Sequence, residues 1–188
     1  MVIREQAIGL EAFFAFIERP ENAGRDFELV EGRIIEVVSH GYSSQIAARI
    51  IGLLTVYLLK NDIGILTGAD GGYMVMGHPY IPDVAFLSYE RQPEPTYNRG
   101  YNVLAPELAV EVLSPSNTDA EMTPKVVNYL NAGTVVWVVN PDAHTITVYQ
   151  PNTTPKTYLR SQTIDASPLL DGFTLRVADA FPARPVED

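Results

Sequence analysis

Apolar positions along this chain fall into two rhythms, one of helical spacing and one of strict alternation. Leu10, Phe13, Phe14 and Ile17 keep the helical rhythm over Leu10 to Arg19, and Pro20 ends it because proline cannot continue a helix. Asp26 to Val38 reads as a β-hairpin, with Phe27-Glu28-Leu29-Val30 and Arg33 to Val38 on either side of a Glu31-Gly32 turn. A second helix is predicted from about Ser43 to Asn61, where Ile46, Ile50, Leu53, Leu54, Tyr57 and Leu58 share a face and Gly64 marks the exit.

Three strand-like pieces follow: Ile65-Leu66, Tyr73 to Met76, and Ile81 to Leu87, the last two joined by Gly77-His78-Pro79. Residues 88–106, rich in Pro and Tyr, are expected to form a mobile loop. Leu108 to Leu113 is a strand. A third helix is predicted to open with Thr123 as N-cap and Pro124 at the first helical position, and to end at Asn131-Ala132-Gly133. Thr134 to Val139 is the continuous apolar run of a strand buried on both faces. A further hairpin pairs Thr145 to Gln150 with Lys156 to Arg160, followed by an Asp171-Gly172 turn and a short final segment. His78 and His144 read as turn residues. The strand–helix–strand passage from Leu108 to Val139 predicts a βαβ unit, hence an α/β fold with a mixed central sheet flanked by helices and extra hairpins. With no repeat or linker in 188 residues, one domain spanning 1–188 is expected.

Composition narrows the function. The apolar share of 46% and the charged share of 19% are those of a soluble globular protein. The absence of cysteine excludes disulfides and thiolate metal sites and fits a reducing compartment. Met1 to Glu5 is not a signal peptide, and the most apolar stretch, Ile46 to Leu59, contains Arg49 and is too short to span a bilayer. A cytoplasmic location with no membrane contact is therefore expected. The net charge of −10 argues against nonspecific grip on nucleic acid. Residues 61–120 hold only Arg91 and Arg99 against eight acids, a zone suited to a divalent cation.

Three residues stand out chemically. Alternation puts Leu108, Val110 and Val112 on one face of their strand and Ala109, Glu111 and Leu113 on the other. A carboxylate there costs several kcal/mol to desolvate unless it is paired or metal-bound; a salt bridge at the strand end is the plain alternative. Asp83 follows Pro82 and leads into the apolar Val84 to Leu87, where a capping role is the alternative. Lys125, placed by this reading in the first turn of the third helix, sits against the helix dipole and needs a carboxylate partner, unless it is a solvated surface lysine.

Pro82-Asp83, Glu111 within Ala109-Val110-Glu111-Val112-Leu113-Ser114-Pro115-Ser116, and Lys125 together resemble the PD-(D/E)XK nuclease superfamily. More narrowly the chain resembles the Uma-two family of restriction endonucleases over roughly residues 26 to 180. That likeness is carried by Phe27 to Gly32, Ile81 to Phe86, Glu107 to Ser116, and Lys125…Tyr129…Ala132-Gly133…Trp137-Val138-Val139-Asn140-Pro141. It implies a restriction-endonuclease-like core that hydrolyses DNA phosphodiester bonds. Asp83 and Glu111 would bind Mg²⁺, with Mn²⁺ as a substitute and a backbone carbonyl such as that of Val112 completing the shell. Lys125 would position or activate the attacking water. Glu28, or its neighbour Glu31, is a further acid of the site, although a hairpin pair between Glu28 and Arg33 is the plain reading. Tyr129, four residues after Lys125, braces it or packs in the core; Trp137 belongs to the core.

Two departures from the pattern matter. The lysine usually lies two residues after the second acid, where this chain has Leu113, so Lys125 must reach back from the helix. Relatives carry His-Gln near the start of the second helix, where this chain has Ser44-Gln45; His40 is nearby but does not match and is left out of the site. A homodimer is expected because two sites cut two strands more easily, and target choice would come from loops or from an unknown protein partner. A non-catalytic scaffold of the same fold is a second reading, and an enzyme of another class sharing the Asp and Glu ligands a third. An electropositive groove around Lys125, Arg91 and Arg99 favours the nuclease, an acidic or blocked site the scaffold, and a pocket closed to a duplex the third reading.

Overall fold

A computed structural model describes residues 7–37, 40–94, 100–114 and 118–182. Met1 to Glu5, Val38, Arg99, Pro115 and Ser116, on which expectations above rest, lie outside the described residues. Helix α1 (Leu10–Ile17) and a 3-10 turn (Pro20–Asn22) precede the hairpin β1 (Phe27–Val30) and β2 (Arg33–Glu36), whose turn residues Glu31 and Gly32 have φ of 49° and 72°. Positive φ at both positions is what a tight two-residue hairpin turn demands. Helix α2 (Gly41–Leu58) leads to β3 (Gly64–Thr67), β4 (Tyr73–Val75), β5 (His78–Tyr80), β6 (Val84–Ser88) and β7 (Leu108–Val112). Then come α3 (Asp119–Asn131), β8 (Val135–Asn140), β9 (Thr145–Tyr149), β10 (Lys156–Tyr158), β11 (Thr163–Asp165), β12 (Thr174–Arg176) and α4 (Val177–Ala180).

The central sheet runs β10-β9-β8-β7-β6-β3. Only β7 and β8, joined across α3, run parallel; the other neighbours are antiparallel. The mixed α/β sheet and its βαβ unit are therefore as expected. Alternation along the strands divides the core. Leu108, Val110 and Val112 join Trp137, Val139 and Phe86 against Ile46, Ile50 and Leu54 of α2 and the C-terminal hairpin. On the other face Ala109, Ala85 and Val136 pack with Val126 and Tyr129 of α3, Val30 of β1, and Tyr73 and Tyr80 of the β4–β5 hairpin. Among the described residues no helix is long and apolar enough to cross a membrane.

Three expectations need correction. Helix α3 starts at Asp119 with Thr118 as its N-cap, and the Thr118 N–H donates to Glu121 Oε2 at 3.2 Å. This is the reciprocal arrangement of a capping box, and it begins the helix ahead of Pro124, which stands inside it. The supposed linker Gly77-His78-Pro79 is largely a strand: β5 pairs with β4 around a turn at Met76 and Gly77 (φ 51° and 82°), so His78 is a strand residue, and the following strand begins only at Val84. The Asp171-Gly172 turn lies within a further hairpin, in which β12 of the final segment pairs with β11 ahead of the turn. The 88–106 loop is tied down on both sides of residues 95–99, which lie outside the described residues. Asn102 Nδ2 donates to Gln92 Oε1 at 2.6 Å, and Arg91 Nη1 to the Ala105 carbonyl at 2.9 Å.

Candidate functional site

The elements that meet at the C-terminal end of β7 explain how charge comes to be buried there. On β1, Phe27 and Leu29 turn toward Phe13 of α1, so alternation sends Glu28 the other way, toward the sheet. Its cross-strand neighbour is Ile35; Arg33 stands opposite Val30, and no pair between Glu28 and Arg33 forms. On β7, Glu111 shares the α3-facing side with Ala109. Because α3 begins early, Lys125 lies in its second turn, clear of the dipole at the N-terminus.

Lys125 Nζ donates to both oxygens of Glu28 at 2.9 Å and to Glu111 Oε2 at 3.0 Å. The Lys125 side chain is 7% exposed, and those of Glu28 and Glu111 6% and 9%. Glu28 Oε1 also accepts the Ile81 N–H at 2.7 Å. The Tyr129 hydroxyl donates to Glu111 Oε1 at 3.1 Å, so Tyr129 braces Glu111 rather than the lysine one turn away. Asp83, just ahead of β6, accepts the Val112 N–H at 2.7 Å, which fixes it beside the strand that carries Glu111. Glu28, Asp83, Glu111 and Lys125 all line one cavity of about 330 Å³ between α2 and α3.

Fully ionised, these four groups carry a net charge of −2, and the site's electrostatics reflect it. Burial pushes the Glu111 carboxyl up to about 8; Lys125 opposes the shift, while Glu28 and Asp83 add to it. Burial likewise raises Asp83, against the Val112 N–H and Lys125. For Lys125 burial works against the charge, but Glu111 and Glu28 outweigh it and hold the ammonium above the ordinary lysine range. Tyr129 is raised well above its usual value, first by burial and then by Glu111 and Glu28, so it remains a neutral donor. The cavity wall adds two further acids, Glu36 and Glu121.

A family model described as "Putative restriction endonuclease", Uma2, matches residues 10–178. The chain belongs to the Uma2 family. Its fold is that of a solved structure of a "putative nuclease" from Anabaena variabilis, with a TM-score of 0.79 over 93% of this chain and 97% of that one at 22% identity. No curated protein sequence matches it.

Within this Uma2 chain, four residues singled out in the sequence therefore share one cavity, while Glu31 is left exposed in its turn. Arg91 does not line the cavity: its guanidinium is spent on Ala105 and lies 4.0 Å from Glu107. With Arg99 outside the described residues, no electropositive groove forms around Lys125 among those described. His40, set aside in the sequence, does line the cavity, as does Ser43, whose hydroxyl donates to the Leu113 carbonyl at 3.0 Å. The signal for both was their place at the start of α2, the helix facing α3 across the site. Among the described residues no three His, Cys, Asp or Glu side chains form a metal cage, and the Lys125 ammonium stands between Glu28 and Glu111.

Proposed function

We propose that this chain is a Mg²⁺-dependent endodeoxyribonuclease, with Mn²⁺ able to substitute, in which Asp83 and Glu111 hold the ion and Lys125 and Glu28 serve the attacking water. The observation that carries this reading is the convergence of three carboxyl groups and one ammonium on a single cavity. The donor set suits the ion. Mg²⁺ takes hard oxygen ligands, commonly one or two carboxylates with waters completing the shell, and Asp83, just ahead of β6, and Glu111 of the neighbouring β7 both line the cavity, with Val112 also in its wall. Such an ion, when bound, lowers the pKa of a coordinated water and offsets charge building on the phosphate.

The chain's own groups do the rest. Held protonated, Lys125 is no base at neutral pH; it contributes positive charge and N–H donors that orient the water and meet the developing oxyanion. Glu28, anchored by the Ile81 N–H, sets where that ammonium stands. Tyr129 fixes the rotation of the Glu111 carboxylate through Oε1. In this reading the chain works as one domain, 1–188, and a homodimer or a protein partner supplies the second cut and the choice of target.

The test is a nicking assay on supercoiled plasmid with Mg²⁺ or Mn²⁺, comparing wild type with Asp83→Ala and Lys125→Ala. Metal-dependent cutting that falls by about a hundredfold or more in both variants is the expected result, on the scale of losing a preorganised charge at a reacting centre. Cutting kept by Lys125→Ala would remove the lysine from the mechanism, and no cutting by wild type would favour a non-catalytic scaffold of nuclease fold. The observation on that second side is the wall itself, where Glu36 and Glu121 add to the acids and no arginine appears among the described residues.

A further inference from the structure

Every oxygen of Glu111 already has a donor: the Tyr129 hydroxyl on Oε1 at 3.1 Å and the Lys125 ammonium on Oε2 at 3.0 Å. An ammonium has three N–H donors, and here they are shared among three carboxylate oxygens, two of them on Glu28. The two acids are not equivalent as partners. Glu28 is tied to the main chain through the Ile81 N–H at 2.7 Å, whereas among the described residues the Glu111 carboxylate is held by the tips of two α3 side chains. The Tyr80 ring, with its centroid 5.5 Å from Nζ, gives the ammonium a further resting contact away from Glu111. A dication and an ammonium on the same buried carboxylate repel strongly.

We propose that Lys125 is a built-in countercation that occupies Glu111 until a divalent cation takes it, and that Glu28 is the acid to which the ammonium then withdraws. This rests on the reading that Asp83 and Glu111 hold the ion. Glu28 is then a positioning residue: it strengthens metal binding by drawing the lysine aside, without touching the metal. Without the ion the lysine bridges two acids and offsets only part of their charge; with it, the ammonium pairs with Glu28 alone and the dication balances Asp83 and Glu111.

The experiment is Mn²⁺ binding to the full chain, by calorimetry and by the loss of free-Mn²⁺ EPR signal, for wild type, Glu28→Gln and the double variant Glu28→Gln/Lys125→Met. Glu28→Gln leaves the ammonium hydrogen-bonded to Glu111 with no second carboxylate to withdraw to, so Mn²⁺ is expected to bind at least about tenfold more weakly than to wild type. The double variant removes acid and ammonium together, leaves Glu111 without a competing cation, and is expected to bind at least about tenfold more tightly than Glu28→Gln. A double variant within twofold of Glu28→Gln would overturn the countercation role and leave the nuclease reading standing. Glu28→Gln binding as tightly as wild type would overturn the withdrawal to Glu28, and this single variant decides the point even where the double one does not fold. Wild type that binds Mn²⁺ no better than Asp83→Ala would overturn the inference and the proposed site together.

Discussion

The two sides of β7 do opposite work from adjacent residues. Leu108, Val110 and Val112 are 1%, 0% and 5% exposed and pack with apolar neighbours from α2, β6 and β8. One residue away on the other face, Glu111 is 7% exposed yet surrounded by a lysine, a tyrosine and two further acids. Burial is equal; what differs is whether each buried group has a partner. An apolar face is stable with any well-packed neighbours, while the charged face depends on the particular atoms that satisfy it.

That contrast can be broken deliberately. The largest effect is expected from Val110→Asp, which places an unpartnered carboxylate among Leu54, Trp137 and Phe86; it should cost more than about 4 kcal/mol and leave little folded protein, as urea denaturation would show. Lys125→Ala attacks the charged face by removing the partner instead of adding the charge. It leaves Glu28 and Glu111 buried without their cation, and a loss of about 3–5 kcal/mol in the same measurement is expected.

A gentler probe is pH. Glu111 binds its proton more tightly in the folded chain, at about 8, than at its ordinary 4.5. The folded state thus holds more protons than the unfolded one across that window, and stability falls as pH rises through it. Metal-free protein is expected to melt several degrees lower at pH 8 than at pH 5, and Glu111→Gln, which mimics the protonated acid, should flatten that slope. A slope of the opposite sign would mean that the lysine fully compensates the carboxylates. The smallest effect belongs to the Arg25–Glu36 pair at 2.6 Å, whose side chains are 43% and 40% exposed. Arg25→Ala should leave the melting temperature within a degree of wild type, since water serves both ions nearly as well as they serve each other.

Much of the fold was legible because its signals are local. The β1–β2 turn announces itself in Glu31-Gly32, and the period-2 pattern of β7 correctly separates Val110 from Glu111. The β4–β5 hairpin was not legible: Pro79 reads as a breaker, yet it pairs opposite Met74 in a two-stranded sheet, where a missing N–H is tolerated at an edge. The start of α3 was present in Thr118-Asp119-Ala120-Glu121, but Pro124, a common first helical residue, suggested a later boundary.

Of the site, the sequence by itself determined which residue types carry charge, that Glu111 lies on an otherwise apolar strand, and that Lys125 and Tyr129 share a helical face one turn apart. Only the tertiary structure decided their partners. Lys125 meets Glu28 across 97 positions, and Asp83 meets the Val112 N–H across 29. It is the packing of α3 against β1 and β7 that commits Glu28 to the lysine rather than to Arg33, commits Tyr129 to Glu111, and leaves Arg91 on the far loop. Period and propensity are properties of neighbouring residues, whereas a buried ion pair depends on which distant segments exclude water from the same place.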